Sequence, residues 1–277
     1  MHILFLTEVS PYPVYGGEKL RSAGLIKLLA QSGHKVTAII SNDDETDLEK
    51  YWIEGAGLIE YDFKKRFKGN LSKAIGYFSK DKNLINLIEK IISENQVDIA
   101  FIDYFFLGQY IQYFHKKNIP VIYGTHNAQS QLSRQDISGS LGNRIVKTIL
   151  YCIHLLHERL YFPEADKLIV VSKEDRNYYN KSIKEEKINI VPNFIDMQDY
   201  EIDTQKKDYI VISGNFYSFQ NRYGAEWFLK NVWEKPLSEK YELLLAGKGS
   251  EELLEKVGRD QDLLNVKSTG AVDNIKP

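Results

Sequence analysis

The sequence predicts an α/β protein built of two parallel-sheet domains, and three observations predict it. Apolar runs of strand length alternate with amphipathic helical stretches almost from end to end, the pattern of repeated strand, helix, strand units with right-handed crossovers. The strands are unbroken apolar runs, as in Ile3 to Leu6, which is the signature of strands covered on both faces. The alternation halts once, at Pro192-Asn193-Phe194-Ile195-Asp196 and the polar stretch Gln198 to Asp208, and then restarts. That break divides the chain into domains 1–197 and 198–277.

The elements follow in order. Ile3 to Leu6 is a strand, and its exit carries Pro11, Pro13, Gly16 and Gly17. A helix runs from about Glu18 to Ser32, with Leu25, Leu28 and Leu29 as its apolar stripe and Gly33 ending it. His34 to Ile40 is the second strand, leaving through Ser41-Asn42-Asp43-Asp44, and Gly57 to Phe63 is the third. Leu71 to Phe78 and Leu84 to Ser93 read as helices, Val97 to Ile102 as a strand, and Tyr104 to Lys117 as a helix. Ile119 to Tyr123 enters the sheet and ends at Gly124-Thr125-His126-Asn127.

A long helical pattern from Leu141 to Phe162 is apolar nearly all round, so it reads as a helix buried between domain elements. Ala165 to Ser172 is a strand whose last residue caps a helix, with Asp175 three positions on in a variant of the capping box. Ile188 to Val191 completes the first domain. In the second, Tyr209 to Ser213 is a strand ending at Gly214-Asn215, and a helix spans about Tyr223 to Trp233. Leu243 to Ala246 is a strand ending at Gly247-Lys248-Gly249-Ser250, a short helix follows, and Val266 to Thr269 begins a third strand.

Composition removes several classes of function. With 277 residues, 43% of them hydrophobic, the chain can bury two real cores. A formal charge of -2 gives no support for a nucleic-acid partner. The single cysteine, Cys152, allows no internal disulfide and reads as a small buried hydrophobe in a reducing compartment. No Cys/His cluster has zinc spacing, no stretch is long and apolar enough to span a bilayer, and the start lacks a secretion signal. The expected location is the cytoplasm.

Two sites for chemistry stand out. In open parallel sheets ligands bind beyond the carboxyl ends of the strands. Gly16-Gly17 lies there, where glycine lets backbone approach a ligand and a helix N-terminus favours an anion such as phosphate. The same residues also read as a plain helix start, with Glu18 complementing the dipole. His126 directly follows an apolar strand, so it belongs in the same crevice, where an imidazole can move a proton or stabilise charge; a structural loop histidine is the other reading. Neither domain carries a Gly-x-Gly-x-x-Gly fingerprint after its first strand, which disfavours a nicotinamide enzyme or epimerase, and Gly247-Lys248-Gly249 is too short for a Walker loop.

As an ordered set, these stretches resemble glycosyltransferase family 4. They are Gly16-Gly17, Thr125-His126-Asn127, Ala165-Asp166 to Ser172, Val191-Pro192-Asn193 with Asp196, and Leu243 to Gly249. Gly214-Asn215 with Asn221, Ala225, Trp227 and Phe228 resembles a subgroup that assembles surface polysaccharide and exopolysaccharide. The resemblance implies the GT-B architecture, two Rossmann-like parallel-sheet domains with the active site between them. It also implies retaining, metal-independent transfer of a sugar from a nucleotide-sugar donor to a glycan or lipid-linked acceptor, with no cofactor.

By that resemblance His126 is catalytic, near the transferring sugar. Gly16, Gly17, Glu18 and Asn127 form the donor and acceptor surface of the first domain, and Gly214, Asn215, Arg222, Gly247 and Lys248 that of the second. Charge develops on the leaving diphosphate, so helix N-termini and cations such as Arg222 and Lys248 are natural stabilisers; each of the two also reads as a solvated surface charge. Two departures are present. The loop Asn215 to Arg222 holds one cation where family members carry an Arg and a Lys, and the family's Glu-x7-Glu segment belongs after Pro277.

The second domain is therefore expected to be incomplete, truncated or complemented by a missing C-terminal part, and the rival function is an inactive remnant acting as a binding module or partner subunit. Peripheral membrane contact has two candidates. They are the basic cluster Lys64-Lys65-Arg66-Phe67-Lys68, which also reads as a solvated loop, and the long helix, for which burial is the expectation.

Overall fold

The computed structural model describes residues 1–12, 14, 16–42, 53–63, 77–195, 208–259 and 263–272. Pro13, Asp43-Asp44, the basic cluster 64–68, residues 71–76 of the helix expected over Leu71 to Phe78, Asp196 and the linker residues 198–207 lie outside them. The chain forms two compact units, Met1–Ile195 and Asp196–Pro277.

The first unit contains, in order, β1 (His2–Thr7), α1 (Gly17–Gln31), β2 (Lys35–Ser41), β3 (Ala56–Tyr61), α2 (Lys82–Glu94) and β4 (Ile99–Asp103). A 3-10 stretch, Phe105–Tyr110, then leads into α3 (Ile111–Lys116). After it come β5 (Val121–Gly124), α4 (Gln129–Gln135), α5 (Leu141–Tyr161), β6 (Lys167–Val170), α6 (Lys173–Tyr179) and β7 (Ile188–Ile190). Its sheet has seven strands in the order β3-β2-β1-β4-β5-β6-β7, all parallel.

The second unit holds β8 (Tyr209–Ser213), α7 (Phe219–Asn231), α8 (Lys235–Ser238), β9 (Glu242–Ala246), α9 (Ser250–Gly258) and β10 (Val266–Gly270). Its described strands form a parallel sheet in the order β10-β9-β8.

The apolar run of β1 is explained by its central place. Side chains alternate across a strand, so Ile3 and Phe5 pack toward Leu25, Ile26 and Ala30 of α1. Leu4 and Leu6 join the larger core on the other face. Burying each such side chain is worth about 1.5–3 kcal/mol, so a polar replacement at any of these four positions would be costly. In α1 the buried stripe is Arg21, Ser22, Leu25, Ile26 and Ala30, and Leu28, expected inside, is exposed. Gly33, at φ 80, takes the left-handed position just past the helix end.

Ser172 caps α6 as its spacing predicts, accepting from the Asp175 amide at 3.0 Å. The stretch after β4 differs from the continuous helix expected over Tyr104 to Lys117. Tyr104 is at φ 90 and ψ 166, and the backbone kinks at Phe106. Burial on every side explains why. Phe105, Leu107, Gly108, Gln109 and Tyr110 from one stretch are all buried, which the one-sided burial of a surface helix cannot achieve.

The long helix α5 departs furthest from expectation. Its buried residues are His154, His157 and Glu158, while most of its aliphatic side chains are exposed. Glu158 accepts the Ser130 amide at 2.9 Å, the Ser130 hydroxyl, and the Tyr179 hydroxyl at 3.1 Å. Burial nevertheless holds its carboxyl above the usual range. His154 Nδ1 pairs with the Ser133 hydroxyl at 2.5 Å. Among the described residues His157 has no hydrogen-bond partner at either ring nitrogen, and it packs against Phe105 and Phe106.

Desolvation lowers His154 to about 4 and His157 to about 3. Both rings are thus neutral when folded and take up a proton on unfolding below about pH 6.5. Their contribution to stability is complete above that pH and is lost as the pH falls toward 4 and 3. Glu158 acts oppositely, gaining stability as it protonates. The expected result is that His157→Leu, which removes one of the two sites, melts closer to the parent at pH 7 than at pH 4.5. There the variant is relieved of about 2–3 kcal/mol of acid destabilisation. Parallel melting curves at both pH values would contradict it.

Candidate functional site

The chain leaves β1 toward β2 and β3, then returns to the opposite side as β4, so β1 and β4 flank a topological switch point. Such a point opens a crevice at the carboxyl ends of the strands. A pocket of about 300 Å³ lies there, lined by Gly17, Glu18, Tyr104, Phe105, Phe106, Thr125, His126, Asn127, Gln129 and Asn193.

At its base is a buried carboxylate. Asp103, the last residue of β4, is fully buried and accepts the Ser22 hydroxyl of α1 at 2.5 Å. His126 Nε2 lies 3.1 Å from both of its oxygens. Because a carboxylate only accepts, Nε2 carries the proton, and Nδ1 is left as the nitrogen with the variable role. Gly124 makes room for this pairing, since a Cβ there would sit 3.0 Å from Asp103 Oδ1.

Tyr104 packs edge-on to His126, with ring centroids 5.5 Å apart. Its φ of 90 is a costly conformation for a side chain other than glycine. It turns the chain sharply at the strand end, between a buried acid and the pocket wall. Burial, then Glu18, pushes its hydroxyl up to about 12, so it stays protonated.

The α1 end of the pocket is backbone. Gly16 precedes the helix at φ 92, and nothing lies within 4 Å of where a Cβ would be at either Gly16 or Gly17. Backbone at the helix start is thus open to approach beside the pocket, at the end of a helix that favours an anion. One turn on, Arg21 is fully buried, and desolvation lowers its pKa against the opposing influence of Asp103. Its Nη1 donates to the carbonyls of Val191 and Pro192 at 2.9 and 3.4 Å and to Asn193 Oδ1 at 3.3 Å. Nε and Nη2 have no hydrogen-bond partner among the described residues. Arg21 thus ties the segment after β7 to α1 and brings Asn193 to the pocket.

In the second unit, Gly214, Asn215, Gly247 and Lys248 come together at the carboxyl ends of β8 and β9. The Gly214 amide donates to Ala246 O at 2.9 Å and the Phe216 amide to Lys248 O at 2.8 Å. Asn215 Oδ1 accepts the Tyr217 amide at 3.1 Å. Arg222 is exposed on α7, with Nε 3.9 Å from Glu226.

Of the residues singled out in the first unit, Gly17, Glu18, His126 and Asn127 line one pocket, and Gly16 is the residue before it. Asp103, Tyr104, Ser22 and Arg21 were not singled out. Asp103 carries the signal that marked His126, a titratable residue directly after an apolar strand. Arg21 carries another, a cation on the buried stripe of an amphipathic helix. Among the described residues no group of His, Cys, Asp or Glu could hold a metal ion, and no helix is long and apolar enough to cross a membrane.

Solved structures share this fold at low identity. The E. coli trehalose-6-phosphate protein bound with UDP-2-fluoro glucose superposes with a TM-score of 0.58 at 12% identity, over 99% of this chain and 74% of that one. The catalytic domain of starch synthase IV from Arabidopsis thaliana, bound to ADP and acarbose, gives 0.55 at 13%, over 99% and 74%. UDP-GlcNAc 2-epimerase from Methanocaldococcus jannaschii gives 0.55 at 12%, over 99% and 74%. The fold is α/β of the GT-B type. No curated protein matches the chain in sequence. Residues 15–199, which hold the glycine turn, Asp103, His126 and Asn193, match the family described as Glycosyltransferase Family 4. The chain belongs to glycosyltransferase family 4.

Proposed function

We propose that this protein transfers a sugar, with retention, from a nucleotide-sugar to a glycan or lipid-linked acceptor in bacterial surface polysaccharide assembly, at the inner face of the membrane. The observation that carries the reading is the pocket at the switch point, where the glycine turn at the start of α1 and His126, paired with Asp103, face one space.

A departing diphosphate gains negative charge. Backbone N–H groups at Gly16 and Gly17 and the positive end of α1 suit that charge without reorganising. His126 is held by Asp103 in one orientation, and a hydrogen-bonded ring of fixed tautomer can contact a sugar hydroxyl through its other nitrogen. Gly214, Asn215, Gly247, Lys248 and Arg222 are the donor-side groups of the second unit. The nucleotide-sugar is a substrate, and the reaction as proposed uses no cofactor and no metal.

Gly17→Ala tests the reading. A Cβ at Gly17 meets nothing among the described residues, and alanine favours a helix over glycine by up to about 1 kcal/mol, so stability should hold or rise. A ligand approaching that backbone would meet the methyl group, so calorimetry with UDP- and GDP-sugars should show binding weakened at least about tenfold, about 1.4 kcal/mol. Unchanged affinity would remove the glycine turn from the site. Binding of a sugar nucleotide without turnover would favour the binding-module reading, and bound NAD would favour an oxidoreductase or epimerase.

A further inference from the structure

We propose that the outward face of α5 docks onto an anionic lipid surface. Leu141, Ile145, Val146, Ile149, Leu156 and Leu160 are each 49–75% exposed. Leu141, Ile145, Ile149, Cys152, Leu156 and Leu160 follow one another at intervals of three or four residues. They make one stripe along the helix, about 28 Å long at 1.5 Å per residue. A surface helix of a globular protein turns its apolar stripe inward. α5 does the reverse, giving His154, His157 and Glu158 to the interior and its aliphatics to solvent. An apolar strip of this length marks an interaction surface.

Charge chooses the partner. The only acid in α5 is Glu158, which is buried, whereas Arg144 and Arg159 are exposed beside the stripe. Lys147 is engaged with Asp136 at 3.1 Å. A helix with an apolar face, bordered by cations and free of exposed acids, suits the boundary between anionic headgroups and acyl chains. A second copy of the chain suits it less, since pairing two such faces would bring arginines together with no carboxylate on either helix to meet them. The helix lies flat, because its inward side is bonded into the fold and it is not long and apolar enough to cross a bilayer. On that inward side His154 and His157 pack against Phe105 and Phe106, which line the pocket. The docked surface would thus lie one layer of side chains behind the candidate site.

Cys152, the single cysteine, is exposed within the stripe and provides a probe. The full chain is labelled there with a polarity-sensitive fluorophore and mixed with vesicles of phosphatidylglycerol and phosphatidylcholine, or of phosphatidylcholine alone. Unlabelled protein is sedimented in parallel. The expected result is a blue-shifted emission and co-sedimentation with the anionic vesicles. Binding should be at least about tenfold weaker to neutral vesicles, or to anionic ones in about 0.5 M salt. The triple variant Ile145→Glu, Ile149→Glu, Leu156→Glu should lose binding while keeping its circular dichroism and melting curve, because all three positions are exposed. No spectral shift or sedimentation with anionic vesicles overturns the proposal, as does undiminished binding by a folded triple variant. A lipid-free dimer that Cys152 cross-links on oxidation overturns it in favour of a second copy. The inference rests on the membrane-face part of the proposed function; because none of these readouts involves sugar transfer, failure here removes that location and leaves the transfer reading standing, while loss of transfer leaves the docking result standing.

Discussion

His126→Ala is expected to lower sugar transfer by about 10²- to 10³-fold, with nucleotide-sugar binding changed by less than about tenfold. His126 lines the pocket and is itself held at 3.1 Å by both oxygens of a fully buried carboxylate. Such a fixed ring contributes most where charge or a proton moves, and less to ground-state binding. Asp103→Asn is the companion. The amide has the same shape but can present an N–H to Nε2, which favours the other tautomer and releases the ring's orientation. Its effect should follow His126→Ala within about a factor of ten, and the double variant should be little worse than either single one, because the two act as a unit. Single-turnover rates with saturating donor would measure this. Near-parental turnover by His126→Ala would reduce the pair to a structural contact.

Gly247→Ala is expected to destabilise the second unit by about 3 kcal/mol or more. Gly247 is at φ 129, and a Cβ there would sit 2.0 Å from the Gly214 carbonyl oxygen. That neighbour is backbone at the end of β8 and cannot swing away. The Gly247 amide also donates to Gly270 O at 2.8 Å, so one residue joins the ends of three strands. Trp233, buried in the core of this unit, reports its unfolding by fluorescence. Gly258→Ala, where an added Cβ meets nothing, serves as the control and should leave the midpoint within about 0.5 kcal/mol. Equal midpoints for the two variants would mean that the turn at Gly214 yields more easily than its geometry implies.

Much of the architecture was legible because it rests on local signals. Continuous apolar runs located β1, β2, β4, β5, β8 and β9 to within a few residues, and Gly33 and Ser172 marked helix ends by conformations that few residue types provide. The candidate site was half legible. Gly17, Glu18, His126 and Asn127 follow strand ends and could be placed by sheet topology alone. Asp103 carried the same signal as His126 but gains its meaning only from parallel pairing of β4 with β5, which puts residues far apart in sequence side by side. Arg21 gains its meaning only from the segment after β7, which supplies its carbonyl partners.

The helix α5 marks the limit most clearly. Periodicity showed a helix with aliphatics nearly all round, and from that pattern burial was the sensible expectation. Which side faces inward is not a property of the helix, however. It was decided by Ser130, Ser133, Phe105 and Tyr179, whose hydroxyls and rings accommodate Glu158, His154 and His157. The sequence by itself determined two parallel-sheet units, their strands, and a glycine turn and a histidine at the strand ends, because periodicity and backbone freedom are local. Only the tertiary structure decided the carboxylate beneath that histidine and the exposure of α5, because both depend on partners brought together from distant parts of the chain.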